Sequence, residues 1–382
     1  MIQLGSLVEY FETHGKLRRS QRKTIAALTW ASIRDTVLGI AAIGHSLVRA
    51  ETTKVKYAIK RVDRFIGNAG VDMEVACRDL IETVMGNARE ILLTLDWTNP
   101  KTKDGQFQTV SINVRAHGRA PPIAWKTVRK TELKGRMRDY EEALCAYVAP
   151  LIPADCHVIL LADRGFGTAR FFRFLDGVGW DWVIRGKGNI LVRWKNAWRP
   201  VCLLGTGRPL QWDDHVDYGK KAAGGSYAGW LVIYADKVHT DSWFLLVSPG
   251  LAGRSWGQVV ALYGKHFTCE ESYKDQKNQL RQGFHMNAVE LGTVDRWDSM
   301  WLIFAWAYYW LNVGGWVVEH RGEDRDWRAN TSEKRTHALW RLGSWGLEHH
   351  DLPFRTLEPS DVSKILLPRW EPCQGVNFHF QE

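Results

Sequence analysis

Five consecutive residues, Val158 to Ala162 (VILLA), are apolar, and Asp163 follows them at once. So short a run with no polar alternate reads as a strand covered on both faces, a central member of a sheet. Cover on two sides requires further layers of chain, which points to an α/β class. A charged residue closing such a strand is exposed at the sheet's carboxyl edge, where α/β proteins place their sites.

The neighbouring segments extend this pattern. EILLTLDW, Glu90 to Trp97, is a second short apolar run and carries Asp96 near its end. After a turn at NPKTKDG, QTVSINVRAH alternates as a strand with one covered face does, and PPIAWKTV continues the meander. Residues 138–149 read as a helix whose acids form a solvated face, TARFFRFLDGVG as another helix, and WDWVIRG as a strand. The order β-β-β-α-β-α-β is that of the ribonuclease-H-like fold, a mixed sheet flanked by helices. From about residue 189 to 250, NILVRWKN, RPLQWDD, KKAAGGSYAG, GWLVIYAD and SWFLLVSPG suggest a separate β-rich insertion.

Residues 1–85 read as helices, in LVEYFETH, TIAALTWASIRDTVLGIAAIGHSL and KVKYAIKRVDRFIGN. In the last, Val55, Ile59, Val62 and Ile66 form the expected buried stripe, with Lys56, Lys60 and Arg64 as a basic ridge beside Lys54 and Arg61. A short helix ending near Leu47, a polar turn and a basic helix outline a helix-turn-helix. Charge supports DNA contact: residues 1–70 hold 12 Lys/Arg against five acids, within a chain of net charge +9. The alternative is an amphipathic helix with a solvated basic face. Twenty Trp residues are expected mainly in the core, although large π-faces on a basic protein also suit base stacking.

Other classes are disfavoured. The six cysteines show no C-x-x-C pair and no His at zinc spacing, so neither a structural zinc nor a disulfide framework is indicated. The N-terminus shows no charged-then-apolar signal segment. MWLIFAWAYYWLNVGGWVV, Met300 to Val318, is long enough to span a bilayer. Asn312 and the Gly314–Gly315 pair interrupt it, and its aromatics run through its middle, so a buried core helix is expected. Neither a P-loop nor a G-x-S-x-G nor a Cys–His signature is present.

If the strands ending in Asp96 and Asp163 are neighbours, their carboxylates converge, and close carboxylates need a proton or a cation between them. A third candidate lies in YGKHFTCEESYKDQK. There Tyr263, His266, Glu270, Lys274 and Lys277 recur at three- and four-residue intervals, one stripe on a helix, which selects Glu270 over Glu271. Three hard oxygen donors suit Mg²⁺ or Mn²⁺. Two such ions about 4 Å apart promote phosphodiester cleavage without a protein nucleophile.

On these residues the chain resembles the DDE transposases of bacterial insertion sequences, in the group with a YREK signature. Tyr263, His266, Glu270 and Lys277 occupy the signature's four places with its spacing. LDWT around Asp96, LADRGF around Asp163 and HGRAPPIAW (His117 to Trp125) are similar to further family segments. The N-terminal helical region, the β-insertion before the Glu and the helical return also match, so the likeness spans most of residues 15–345. The resemblance implies a cut-and-paste transposase that binds terminal inverted repeats of double-stranded DNA, cleaves them and joins the 3′ ends to target DNA. It would act as a homodimer, away from membranes, in the bacterial cytoplasm with the nucleoid. Asp96, Asp163 and Glu270 would hold two metal ions, with Tyr263, Lys274 and Lys277 on phosphates. Arg185 matches an arginine that contacts terminal nucleotides. Trp243 matches one that stacks on a flipped base; the other reading is a strand aromatic in a small core. His266 departs from the family's Arg, and on sequence alone His266→Arg should keep or increase cleavage. The implied organisation is a helical DNA-binding region at 1–85, a catalytic core at 86–188 and 256–325, a β-insertion at 189–255 and a C-terminal dimerisation candidate at 326–382. Two other functions fit the pattern: a domesticated DNA-binding protein without catalysis, or a ribonuclease-H-like nuclease without strand transfer.

Overall fold

The computed structural model describes residues 4–100, 105–204, 210–220, 225–237, 241–277, 283–333, 335–349 and 359–367. Parts of the expected NPKTKDG turn and KKAAGGSYAG strand, and the tail beyond residue 367, lie outside them. The chain opens with α1 (Leu4–His14), α2 (Arg19–Asp35), α3 (Ile40–Leu47), α4 (Val55–Ile66) and α5 (Met73–Met85). The long helical segment expected at Thr24–Leu47 is thus two helices, divided at Thr36–Gly39, where Thr36 and Gly39 take positive φ.

The sheet begins with β1 (Glu90–Thr98), β2 (Phe107–Val114) and β3 (Pro122–Arg129). It continues through α6 (Met137–Val148), β4 (His157–Ala162), α7 (Ala169–Gly177) and β5 (Asp181–Arg185), the order read from sequence. Then come β6 (Leu191–Trp194), β7 (Ala197–Pro200), β8 (Leu210–Tyr218), β9 (Tyr227–Ala235) and β10 (Trp243–Val247). All ten strands form one sheet in the order β3-β2-β1-β4-β5-β10-β9-β8-β6-β7. β4 lies parallel to both β1 and β5, and β2 is antiparallel to β1 and β3. This mixed sheet with flanking helices is consistent with a ribonuclease-H-like transposase fold.

Among the described residues of 189–255, the five strands β6–β10 all join the central sheet. β10 pairs antiparallel with β5, so this segment lengthens the central sheet from its β5 edge. β7 has no counterpart in the sequence reading. It closes a two-residue hairpin on β6, with Lys195 and Asn196 both at positive φ, the backbone of a type I′ turn.

After the sheet come α8 (Trp256–Gly264), α9 (Thr268–Lys277) and α10 (Val294–His320), then α11 (Leu339–His349) and α12 (Pro359–Leu366). α10 contains the apolar Trp-rich run and is buried along most of its length. Among the described residues no single helix is long and apolar enough to cross a membrane. α10 is instead the spine of the core. Tyr10 and Phe11 of α1 meet Trp310 and Trp306 edge-on at 4.7 and 4.8 Å, so the N-terminal helices share its core. On its other side α11 approaches closely because both helices carry glycine at the crossing. A Cβ on Gly315 would lie 1.8 Å from Leu339 O, and one on Gly343 2.0 Å from Leu311 O.

Candidate active site

Register places the two aspartates together. Leu95 of β1 pairs with Ala162 of the parallel β4, so the next residue on each chain is Asp96 and Asp163. Both therefore emerge at the carboxyl end of adjacent central strands. Each is held locally: the Trp97 N–H donates to Asp96 Oδ1 at 2.7 Å, and the Gly165 N–H to Asp163 Oδ1 at 2.7 Å. Gly165 suits this turn, since a Cβ there would come within 2.9 Å of Asp163 Oδ1.

Electrostatics links these acids to Glu270. Burial raises the Asp96 carboxyl to about 7, helped by the charges of Asp163 and Glu270 and opposed by the Trp97 N–H and Lys277. Glu270 opens α9 with an exposed side chain. Its carboxyl is also raised, by desolvation and by Glu271 and Asp163, against the pull of Lys274. Glu271 is held by Lys274 at 2.7 Å. Asp96 and Glu270, each raised by burial and by the neighbouring charge of Asp163, are hard oxygen donors of the kind that fit a divalent cation. Among the described residues no three His, Cys, Asp or Glu side chains stand close enough to form a metal cluster. The donor chemistry fits and the spacing is open.

The stripe over Tyr263–Lys277 is not one continuous α-helix. A 3₁₀ turn at Lys265–Phe267 separates α8 from α9. Three residues sweep about 360° in a 3₁₀ turn and about 300° in an α-helix, so the face rotates by about 60° across the break. Tyr263 and His266, 2 % and 3 % exposed, consequently turn inward, while Glu270 and Lys274 are exposed. The Tyr263 ring packs on Trp243 at 5.2 Å and on His266 at 5.7 Å. Burial pushes His266 down to about 4, against the charge of Asp163, so its imidazole is neutral. Trp243, 4 % exposed, sits in a cluster with Tyr234, Tyr263 and Phe267. The single exposed face expected from the sequence is therefore divided.

Lys277 is half-buried beside the first aspartate strand. It donates to Thr98 Oγ1, and its ammonium lies 5.3 Å from the Tyr273 ring centroid. Burial lowers its pKa while Asp96 holds it up. Arg185 stands half-buried at the end of β5.

The comparison with known families bears on this site. Residues 141–306 match the transposase DDE domain. No curated protein matches the chain. The matched span takes in Asp163, Glu270 and Lys277, whereas Asp96 lies ahead of it. The transposase match supports a DNA-acting enzyme of the DDE class.

Two groups of residues around Asp96, Asp163 and Glu270 depart from the expectations of the sequence. The sequence places Glu141 on a solvated face, yet it is 2 % exposed. It shares the α6 stripe with Leu144, Cys145 and Val148, a spacing visible in the sequence. The second group holds α9 in place. Arg119 Nε donates to Asp275 Oδ2 at 2.5 Å, the Tyr308 hydroxyl donates to the same oxygen at 2.7 Å, and the Ala120 N–H donates to Ser272 Oγ at 2.8 Å. This accounts for the HGRAPP segment: its arginine and the following N–H anchor the helix bearing Glu270.

The basic helix α4 follows α3 across the expected polar turn. Its buried residues are Ala58, Val62, Phe65 and Ile66, and Ile59 is half-buried against Gly44 of α3. Val55 is 37 % exposed, a correction to the expected stripe: the first turn of α4, Val55 to Tyr57, is exposed throughout. Lys54, Lys56, Lys60 and Arg64 are exposed, whereas Arg61 is drawn to Glu51 at 2.8 Å. Lys60, Arg61 and Arg64 line a groove of about 450 Å³ with Ser20 and Thr24 of α2.

Proposed function

We propose that the chain is a DDE transposase of the YREK group, which cleaves the terminal repeats of an insertion sequence and joins the 3′ ends to target DNA. The adjacency of Asp96 and Asp163 on parallel strands, with Glu270 acting on the same field, carries this reading. In it these three carboxylates hold two Mg²⁺ or Mn²⁺ ions. Such ions, when bound, activate a water or a 3′-hydroxyl and stabilise the leaving oxygen.

The chain's own residues supply position and charge. Lys274 and Lys277 donate to phosphates near the cleaved end, and Arg185 to the terminal nucleotides. Lys56, Lys60, Arg61 and Arg64 bind the repeat through its backbone. Tyr263, His266 and Trp243 take part only if DNA binding uncovers them, and a base flipped towards Trp243 would have to displace its ring neighbours. The protein works as a homodimer that holds both ends.

Incubating the protein with Mg²⁺ and a linear duplex ending in its terminal repeat tests this. Nicks at the repeat followed by joined products, abolished by EDTA, are expected. Binding without nicks would leave a DNA-binding protein, and nicks without joined products a nuclease.

A further inference from the structure

Arg138 and Glu141, one turn apart on α6, form an ion pair with side chains only 16 % and 3 % exposed. The pair touches both aspartate segments. Glu141 Oε1 accepts from Trp97 Nε1 at 2.8 Å, and Trp97 is the residue whose N–H holds Asp96. Arg138 Nη2 donates to Gly165 O at 3.2 Å, and Gly165 is the residue whose N–H holds Asp163. The guanidinium also lies 4.8 Å from the Phe171 ring centroid and 5.9 Å from that of Phe166. An unbroken chain of contacts thus runs from Asp96 through Trp97, Glu141, Arg138 and Gly165 to Asp163.

Stability alone is a weak reason for such a pair. Desolvating two charges offsets most of their attraction, and apolar residues of similar volume usually serve as well. What an apolar pair cannot reproduce is direction: the guanidinium fork and the carboxylate fix the angles of the groups they bind. The nearby surface pair differs. Arg170 contacts Asp139 at 2.9 Å and Glu142 at 2.6 Å on the exposed side of α6 and reaches neither aspartate segment.

We propose that Arg138 and Glu141 are positioning residues, which set the separation and direction of Asp96 and Asp163 by gripping one residue beside each. This rests on the reading of the site as a metal-dependent cleavage centre. Neither residue touches DNA or the reacting atoms.

The test compares wild type, Arg138→Met/Glu141→Leu, Glu141→Gln and Arg170→Ala by thermal melting, by calorimetric Mn²⁺ binding without DNA, and by terminal-repeat cleavage. The double variant is expected to melt within a few degrees of wild type, yet to bind Mn²⁺ at least fivefold more weakly and cleave at least tenfold more slowly. Arg170→Ala should match wild type in all three. Mn²⁺ binding and cleavage by the double variant within twofold of wild type would overturn the proposal. Should the double variant not fold, Glu141→Gln decides: weaker Mn²⁺ binding at an unchanged melting temperature supports the proposal, and unchanged binding overturns it. Wild type that binds Mn²⁺ but cuts no DNA overturns the transposase reading and leaves calorimetry to judge the pair. Wild type that does neither overturns both.

Discussion

Arg119 Nε and Asp275 Oδ2 meet at 2.5 Å, joining the loop between β2 and β3 to the helix that carries Glu270. Both side chains are largely covered, 21 % and 13 % exposed. Arg119→Ala leaves Asp275 with the Tyr308 hydroxyl and no counter-charge at that contact, at a cost of about 3 kcal/mol. Arg119→Lys keeps the charge without the fork and is expected to cost less. Urea midpoints at constant slope measure both.

At the α10–α11 crossing, Gly315→Ala would force a Cβ against the backbone of Leu339. Backbone cannot yield as a flexible side chain does, so the helices must separate. A loss of about 3 kcal/mol is expected, although alanine is the better helix former. Thermal unfolding of the variant checks this.

His266 reverses an expectation. On sequence alone, His266→Arg should keep or increase cleavage; its burial now predicts that arginine, a permanent charge, destabilises the fold. The native imidazole also makes the protein acid-sensitive. Its folded pKa of about 4 lies below its unfolded value, so the unfolded chain binds the proton more readily. The stability it supports is complete above about pH 6.5 and is lost as pH falls towards 4, up to about 3 kcal/mol. His266→Gln should flatten that part of the stability–pH curve, and an unchanged curve would contradict the assignment.

His157 acts in the opposite sense. Burial lowers its pKa, but hydrogen bonds to Asp181 at 2.8 Å and Glu90 at 3.0 Å prevail and raise it. Its contribution is complete below the unfolded pKa near 6.5 and fades as pH rises through the higher folded value. The ring is 41 % exposed, so solvent screening keeps the effect under about 1 kcal/mol. In His157→Gln, stability should fall less than in wild type between pH 6 and 8.

Legibility in the sequence followed the range of the interactions. Asp96 and Asp163 were readable because an apolar strand interrupted by a charge is a local pattern, and α10 because its glycines and scattered aromatics argue against a bilayer. Which strand β5 would take as its outer neighbour is a long-range choice, so the continuation of the sheet through β10 was not readable. β7 has no local signal in the sequence, because Lys195–Asn196 is not the Asn-Gly that usually marks a type I′ turn. The phase of the stripe from Tyr263 to Lys277 depends on a single 3₁₀ turn at Lys265–Phe267. Tyr263 and His266 fell on the same ideal helix face as Glu270 and ended on another. Glu141 was legible in principle, since it shares a stripe with Leu144, Cys145 and Val148, but acids on an amphipathic helix are usually solvated.

In the proposed function, Asp96, Asp163 and Glu270 form one metal-dependent DNA-cleaving centre. Wild type and Asp163→Ala, compared on one duplex ending in the terminal repeat with Mg²⁺, test it most directly. Specific nicks are expected from wild type and, from Asp163→Ala, DNA binding with no nicks. Cleavage by Asp163→Ala at the wild-type position and rate would contradict it.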